Sequence, residues 1–186
     1  DQFTGQQPRP KIFDLHLTDE VRAHLALTVA VASAMQVIII EELGINPYSL
    51  YKVKVSTDGR GHEFVQVTDN GSVRIKASNK INAAVCLQMA LNMTERCRAS
   101  TQQNDLWLCK TTQSLVRPKP ESFQNEFNQM RDHVALKYPG LKFASLKKIR
   151  TSKGVWIYLT SNGNALKTAA YLRNTVKTTL HRDIPP

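Results

Sequence analysis

The sequence predicts an α+β fold of two α-β-β-(β)-α units, each an antiparallel sheet covered on one face by helices. Three observations predict it. Apolar residues recur at helical spacing at both ends of each half; runs bounded by Gly, Asn and Asp alternate between them; and a proline-spaced stretch separates the halves. With 186 residues, 41% of them hydrophobic, the chain can fill a core for one large unit or two small ones.

Residues 1–17 lack sustained periodicity and read as an N-terminal arm, and the start at Asp1 reads as excision from a longer chain. A helix is expected after Thr18, whose hydroxyl can cap while Asp19 and Glu20 complement the helix dipole. Leu25 to Ile40 is almost wholly apolar, yet its 16 residues include Thr28, Ser33 and Gln36, which is short for a membrane span. It reads as a buried helix whose end, Val37 to Ile40, also fits a strand, with Gly44 and Asn46-Pro47 marking the stop.

Leu50 to Val55 alternates as a strand, Ser56 to Gly61 is a turn, and Phe64 to Val67 is a second strand. Asn70-Gly71 signals a hairpin, and Val73 with Ile75 gives a third strand a core-facing side. A helix from Asn79 to about Glu95 follows, with Ile81, Ala84, Val85, Gln88, Met89 and Leu91 at helical period. These elements make residues 18–98 the first unit. Residues 99–120 are polar apart from a short strand at Leu106-Trp107-Leu108 and end in Arg117-Pro118-Lys119-Pro120, which favours an extended linker.

Residues 121–182 form the second unit. A helix to Tyr138 stops at Pro139-Gly140, strands at Leu141–Ile149 and Val155–Leu159 flank a turn at Thr151–Gly154, and a last helix spans Ala165–Leu180. That helix has Ala165, Ala169, Leu172, Val176 and Leu180 as its inner stripe. Val21–Leu27 matches Met130–Leu136 in character, and Val73-Arg74-Ile75 matches Val155-Trp156-Ile157 ahead of similar Ser-Asn junctions, as a duplication would leave them.

Lys and Arg number 25 against 15 Asp and Glu, for a formal net charge of +10. Between Pro139 and Arg182 there is no carboxylate, yet Lys142, Lys147, Lys148, Arg150, Lys153, Lys167, Arg173, Lys177 and Arg182 all fall there. An acid-free stretch that keeps apolar periodicity reads as a folded polyanion-binding surface. Lys147, Lys148, Arg150 and Lys153 are expected around the second hairpin, whose return strand presents Trp156 and Tyr158 for base stacking. Arg173, Lys177 and Lys167 are expected round the outer side of the last helix.

Cys86, Cys97 and Cys109 are an odd set without CxxC spacing, which fits a reducing, intracellular compartment and suggests neither disulfides nor zinc. His16, His24, His62, His133 and His181 are scattered without metal-ligand spacing, and no phosphate-loop pattern occurs. No catalytic residues, metal or cofactor are therefore expected, and the chain is not expected to be an enzyme.

The first unit resembles a double-stranded-RNA-binding domain over Val37 to Thr94. The resemblance rests on the α-β-β-β-α order, on the turn Gly59-Arg60-Gly61-His62, and on Ser78-Asn79-Lys80 at the start of the last helix. It implies a loop that enters the minor groove and a helix start that meets phosphates. On that basis Arg60, His62, Arg74, Lys76 and Lys80 join the expected nucleic-acid-binding residues, and both units are degenerate copies of such a domain. The expected function is sequence-tolerant RNA binding through the basic C-terminal surface, with double-stranded or structured RNA ahead of DNA and no membrane. The alternative is a protein-interaction or scaffold module of a ribonucleoprotein assembly or helicase, docking through the apolar surface of the first long helix.

Overall fold

The computed structural model describes residues 26–58, 61–68, 71–75, 80–110, 115–180 and 184. The expected arm and the start of the first helix lie outside them. In chain order the elements are α1 (Val29–Leu43), α2 (Pro47–Leu50), β1 (Val53–Asp58), β2 (Gly61–Thr68), β3 (Gly71–Arg74) and α3 (Ile81–Thr101). They are followed by β4 (Cys109–Lys110), β5 (Leu115–Val116), α4 (Pro120–Ala135), a 3-10 helix (Pro139–Phe143), α5 (Leu146–Thr160), α6 (Ala165–Leu172) and α7 (Val176–Thr178).

α1 begins at Thr28, whose side chain accepts from the Val31 amide at 3.3 Å. It ends at Gly44, which takes a left-handed conformation (φ 62°) and donates its amide to Ile40 O at 3.0 Å. The helix is apolar on nearly every side, so it can only sit in the middle of the molecule. Ala32, Met35, Ile39, Ile40 and Leu43 are buried, and α3, α4 and α5 all pack on it. Only Ala30 and Ile38 are exposed, so the docking face that the interaction-module reading assigned to this helix is already covered.

The α-β-β-β-α order of the first half is as expected. β1, β2 and β3 form an antiparallel sheet in that order. Val53 and Val55 point into the core while Lys54 and Ser56 are exposed, the period-2 pattern of a half-buried strand. Asp58 pairs with Gly61 across β1 and β2, and Thr68 with Gly71 across β2 and β3. α1 does not turn into a strand at Val37.

α3 buries a different stripe from the one expected. Ala83, Cys86, Leu87, Ala90, Leu91 and Thr94 face inward, whereas Ile81, Val85 and Met89 are exposed. Small residues at Ala83 and Ala90 suit close packing on α1, and that geometry outweighs the larger hydrophobicity of the outer stripe. Glu42 on α1 ties the two helices together, accepting from the Ala83 amide at 2.8 Å and from Asn82 Nδ2 at 2.6 Å.

Within the stretch expected as a linker, one segment is instead part of the core. Leu106, Trp107, Leu108 and Cys109 are fully buried. Trp107 donates its indole N–H to Leu50 O at 2.8 Å and meets Phe123 edge to face at 6.4 Å. The Leu106 amide donates to Val53 O at 2.9 Å, so this segment lines the outer edge of β1. One apolar cluster runs from Leu27 through the sheet and α3 to Phe123, Phe127 and Leu146.

The second half carries no hairpin at 141–159. Ser145 accepts from the Lys148 amide at 3.2 Å and starts α5, which continues to Thr160. The strand-like alternation of Val155, Ile157 and Leu159 is overridden because Leu146, Ile149 and Ile157 also share a helical face toward the core. Gly154, expected in a turn, lies inside the helix, where an added Cβ would stand 3.0 Å from Leu172 Cδ1; it permits the close crossing with α6. Val155–Ile157 therefore does not correspond to the strand Val73–Ile75, and the proposed duplication loses that anchor. The last helix is shorter than expected. Arg173 takes φ 52°, the Asn174 amide closes back on Ala169 O at 3.0 Å, and Thr175 caps the short α7.

Candidate nucleic-acid interface

The expected basic residues separate into groups with different jobs once α5 replaces the hairpin. Leu146, Arg150, Lys153 and Ile157 share the side of α5 that faces the rest of the molecule, while Lys148, Ser152, Trp156 and Leu159 form its outer side. Direction decides availability.

Arg150 is a correction. Its Nε donates to Gly44 O at 2.7 Å, and its terminal nitrogen donates to Leu172 O. A guanidinium joining the C-terminal carbonyls of α1 and α6 meets the negative ends of two helices, which is where a cation is most stabilising. Lys153 is engaged in the same region. Its ammonium lies 2.6 Å from Glu41 Oε1 and 4.6 Å from the centre of the Trp156 ring. Tyr171 completes this junction by donating its hydroxyl to Ile40 O at 3.1 Å and Glu41 O at 2.8 Å. Burial, then the nearby Glu41 charge, pushes its phenol pKa up.

Lys147 and Lys148 are exposed in the first turn of α5, and Lys148 Nζ donates to Phe143 O at 3.0 Å. Trp156 is 55% exposed on the helix, not in a strand beside Tyr158. Lys167 is exposed in the first turn of α6, and Lys177 is exposed on α7. Arg173 caps the end of α6; desolvation first, and then the Arg150 charge, lowers its guanidinium pKa.

In the first half Lys80 is exposed immediately before α3. The anion expected at that helix start is supplied by the chain itself, since Glu42 accepts from the Ala83 amide. His62 belongs to β2, paired with Thr57, and Arg74 belongs to β3, paired with Val65. Arg60 and Lys76 lie outside the described residues, as do Gly59, Ser78 and Asn79.

Sequence reasoning missed the surface between α4 and α5. Leu136 is 82% exposed, Phe143 74% and Tyr138 54%, with Lys137 and Lys142 exposed among them. Lys137 Nζ lies 5.4 Å from the centre of the Tyr138 ring. The signal was present in Leu136-Lys137-Tyr138-Pro139-Gly140-Leu141-Lys142-Phe143, where basic and bulky apolar residues interleave across a Pro-Gly stop. Such a surface offers ammonium groups to phosphates beside rings that can stack.

Among the described residues no three His, Cys, Asp or Glu side chains gather as a metal site, and no helix is long and apolar enough to cross a membrane. Compared with family models, curated proteins and solved structures, the chain matches none.

Proposed function

We propose that this chain is a non-catalytic RNA-binding protein that grips the phosphate backbone, largely without regard to sequence, through the 3-10 helix Pro139–Phe143 and the start of α5. One observation carries the reading: exposed Lys142, Lys147 and Lys148 cluster within a 44-residue stretch, 139–182, that contains no carboxylate. Cations without acidic neighbours in sequence leave their field for an external polyanion. RNA is preferred to DNA on the strength of the α-β-β-β-α order in residues 29–101, which supports a double-stranded-RNA-binding-domain-like first half that serves mainly as packing.

Filter binding of RNA across a salt series tests this. Replacing Lys147 and Lys148 together by Ala should lower affinity and reduce the salt slope by about 1.4 for single strands or about 1.8 for duplex. An unchanged slope would reject the surface. A second reading, a protein-interaction module of a ribonucleoprotein assembly, is favoured by the exposed stripe Ile81, Val85 and Met89 on α3. It is distinguished by self-association of the purified chain together with negligible RNA retention.

A further inference from the structure

Three exposed aromatic rings in the C-terminal half each have a lysine at hand. Tyr138 has Lys137 at 5.4 Å, Trp156 has Lys153 at 4.6 Å, and Lys148 is held to the backbone of Phe143 at 3.0 Å. Phe143 precedes α5 by three residues, and Trp156 lies on the outer side of that helix with Lys148 and Ser152. From Lys148, whose ammonium meets the Phe143 carbonyl, an exposed track about 12 Å long runs along α5 to Trp156.

The chemistry of that track discriminates between nucleic-acid forms. In a duplex each base face is covered by its neighbours, so exposed rings gain nothing from it beyond its ends. An unpaired strand presents both its phosphates and its base faces, and every base can stack whatever its identity. Resting on the RNA reading above, we infer that the ligand of this surface is unpaired RNA, with bases stacked on Phe143 and Trp156 and phosphates held by Lys142, Lys147 and Lys148. Lys153, paired with Glu41, orients the Trp156 ring instead of meeting phosphate.

The experiment compares a short oligouridine, a blunt RNA duplex of equal length and phosphatidylserine-containing vesicles, using the full chain. Oligouridine should bind more tightly than duplex at the same salt. The double variant Phe143→Leu, Trp156→Leu keeps apolar bulk but removes the ring faces. It should weaken oligouridine binding on the order of tenfold to hundredfold while leaving the salt slope and duplex affinity unchanged. Phe143→Tyr should retain binding. Trp156 is exposed and Trp107 fully buried, so oligouridine should quench the fluorescence of the parent chain but not that of Trp156→Leu. Equal binding of both RNA forms, untouched by the double variant, overturns stacking and leaves phosphate binding standing. Vesicle binding without retention of either RNA overturns both.

Discussion

Replacing Gly44 by alanine tests whether the C-terminal helices are seated on the end of α1 as described. At φ 62° an alanine carries a left-handed penalty of about 1 kcal/mol. The larger cost is steric: its Cβ would stand 2.0 Å from Tyr171 O and 2.9 Å from Tyr171 C, so the backbone of α6 must move. That movement strains the two hydrogen bonds from the Tyr171 hydroxyl to Ile40 O and Glu41 O, and the Arg150 bond to Gly44 O. The Tyr171 hydroxyl has one proton to share between its two acceptors, so the loss there is about 1 kcal/mol, with about 2 kcal/mol for the charged bond. The sum is about 4 kcal/mol, which at a urea m-value near 2 kcal/mol/M lowers the unfolding midpoint by about 2 M. Far-ultraviolet circular dichroism in urea measures it. A second arm adds Tyr171→Phe, whose cost should shrink by about 1 kcal/mol in the Gly44→Ala background because the phenol has already been displaced. A loss of only about 1 kcal/mol, with additive effects, would show that Tyr171 does not pack on Gly44 and would refute the junction.

The remaining expectations concern charge and ionisation. Lys153→Ala should leave the salt slope of RNA binding unchanged, because its ammonium is paired with Glu41 and does not meet phosphate. It should also cost less than about 1 kcal/mol, because its pair with Glu41 is partly exposed on both sides. A fall in salt slope equal to that of Lys148→Ala would show that Lys153 meets phosphate after all. Burial, reinforced by Cys97, pushes the Cys109 thiol from 9.0 up to about 12. Since the folded value is the higher one, the associated stability is fully present below about pH 9 and is lost as pH rises toward about 12. Urea titrations at a series of alkaline pH values should show this loss, and Cys109→Ala should flatten it. A decline of equal steepness in that variant would assign the alkaline loss to other groups.

The first sheet was legible because hairpins are written locally. Val53 and Val55 alternate with Lys54 and Ser56, and the hairpin expected from Asn70-Gly71 agrees with the pairing of Thr68 with Gly71. The core segment Leu106 to Cys109 was visible only as an isolated apolar run amid polar residues. Such a run, without alternation, marks burial on both faces, and its polar flanks drew it into the linker. α3 carries two interleaved apolar stripes, and hydrophobicity alone prefers Ile81, Val85 and Met89 over the smaller Ala83, Cys86 and Ala90. The choice depends on how closely α1 approaches, which is a tertiary fact. At α5 the residues 155–159 satisfy both a strand period and a helical face, and Gly154 imitates a turn because the Leu172 contact that requires it is distant in sequence. The candidate surface followed that error. Lys147, Lys148 and Trp156, singled out for their chemistry, are exposed; Arg150 and Lys153 were assigned outward, and Phe143 was overlooked because a strand would have buried one of every two residues there.

Counting charges along a sequence treats every cation as a contributor to one external field, and this fold shows why that sum must first be divided by direction. The end of α1 presents the carbonyls of Ile40, Glu41 and Gly44 and the Glu41 carboxylate, a concentration of negative charge that no carboxylate from residues 139–182 supplies. Arg150 and Lys153, from the inner side of α5, answer that charge and fasten the C-terminal helices to the first half. Lys148, about half a turn round the same helix, cannot reach it. An uncompensated stretch in the sequence therefore contains cations compensated in space, and the case for a polyanion ligand rests on the outward lysines beside Phe143 and Trp156, not on the net charge of +10.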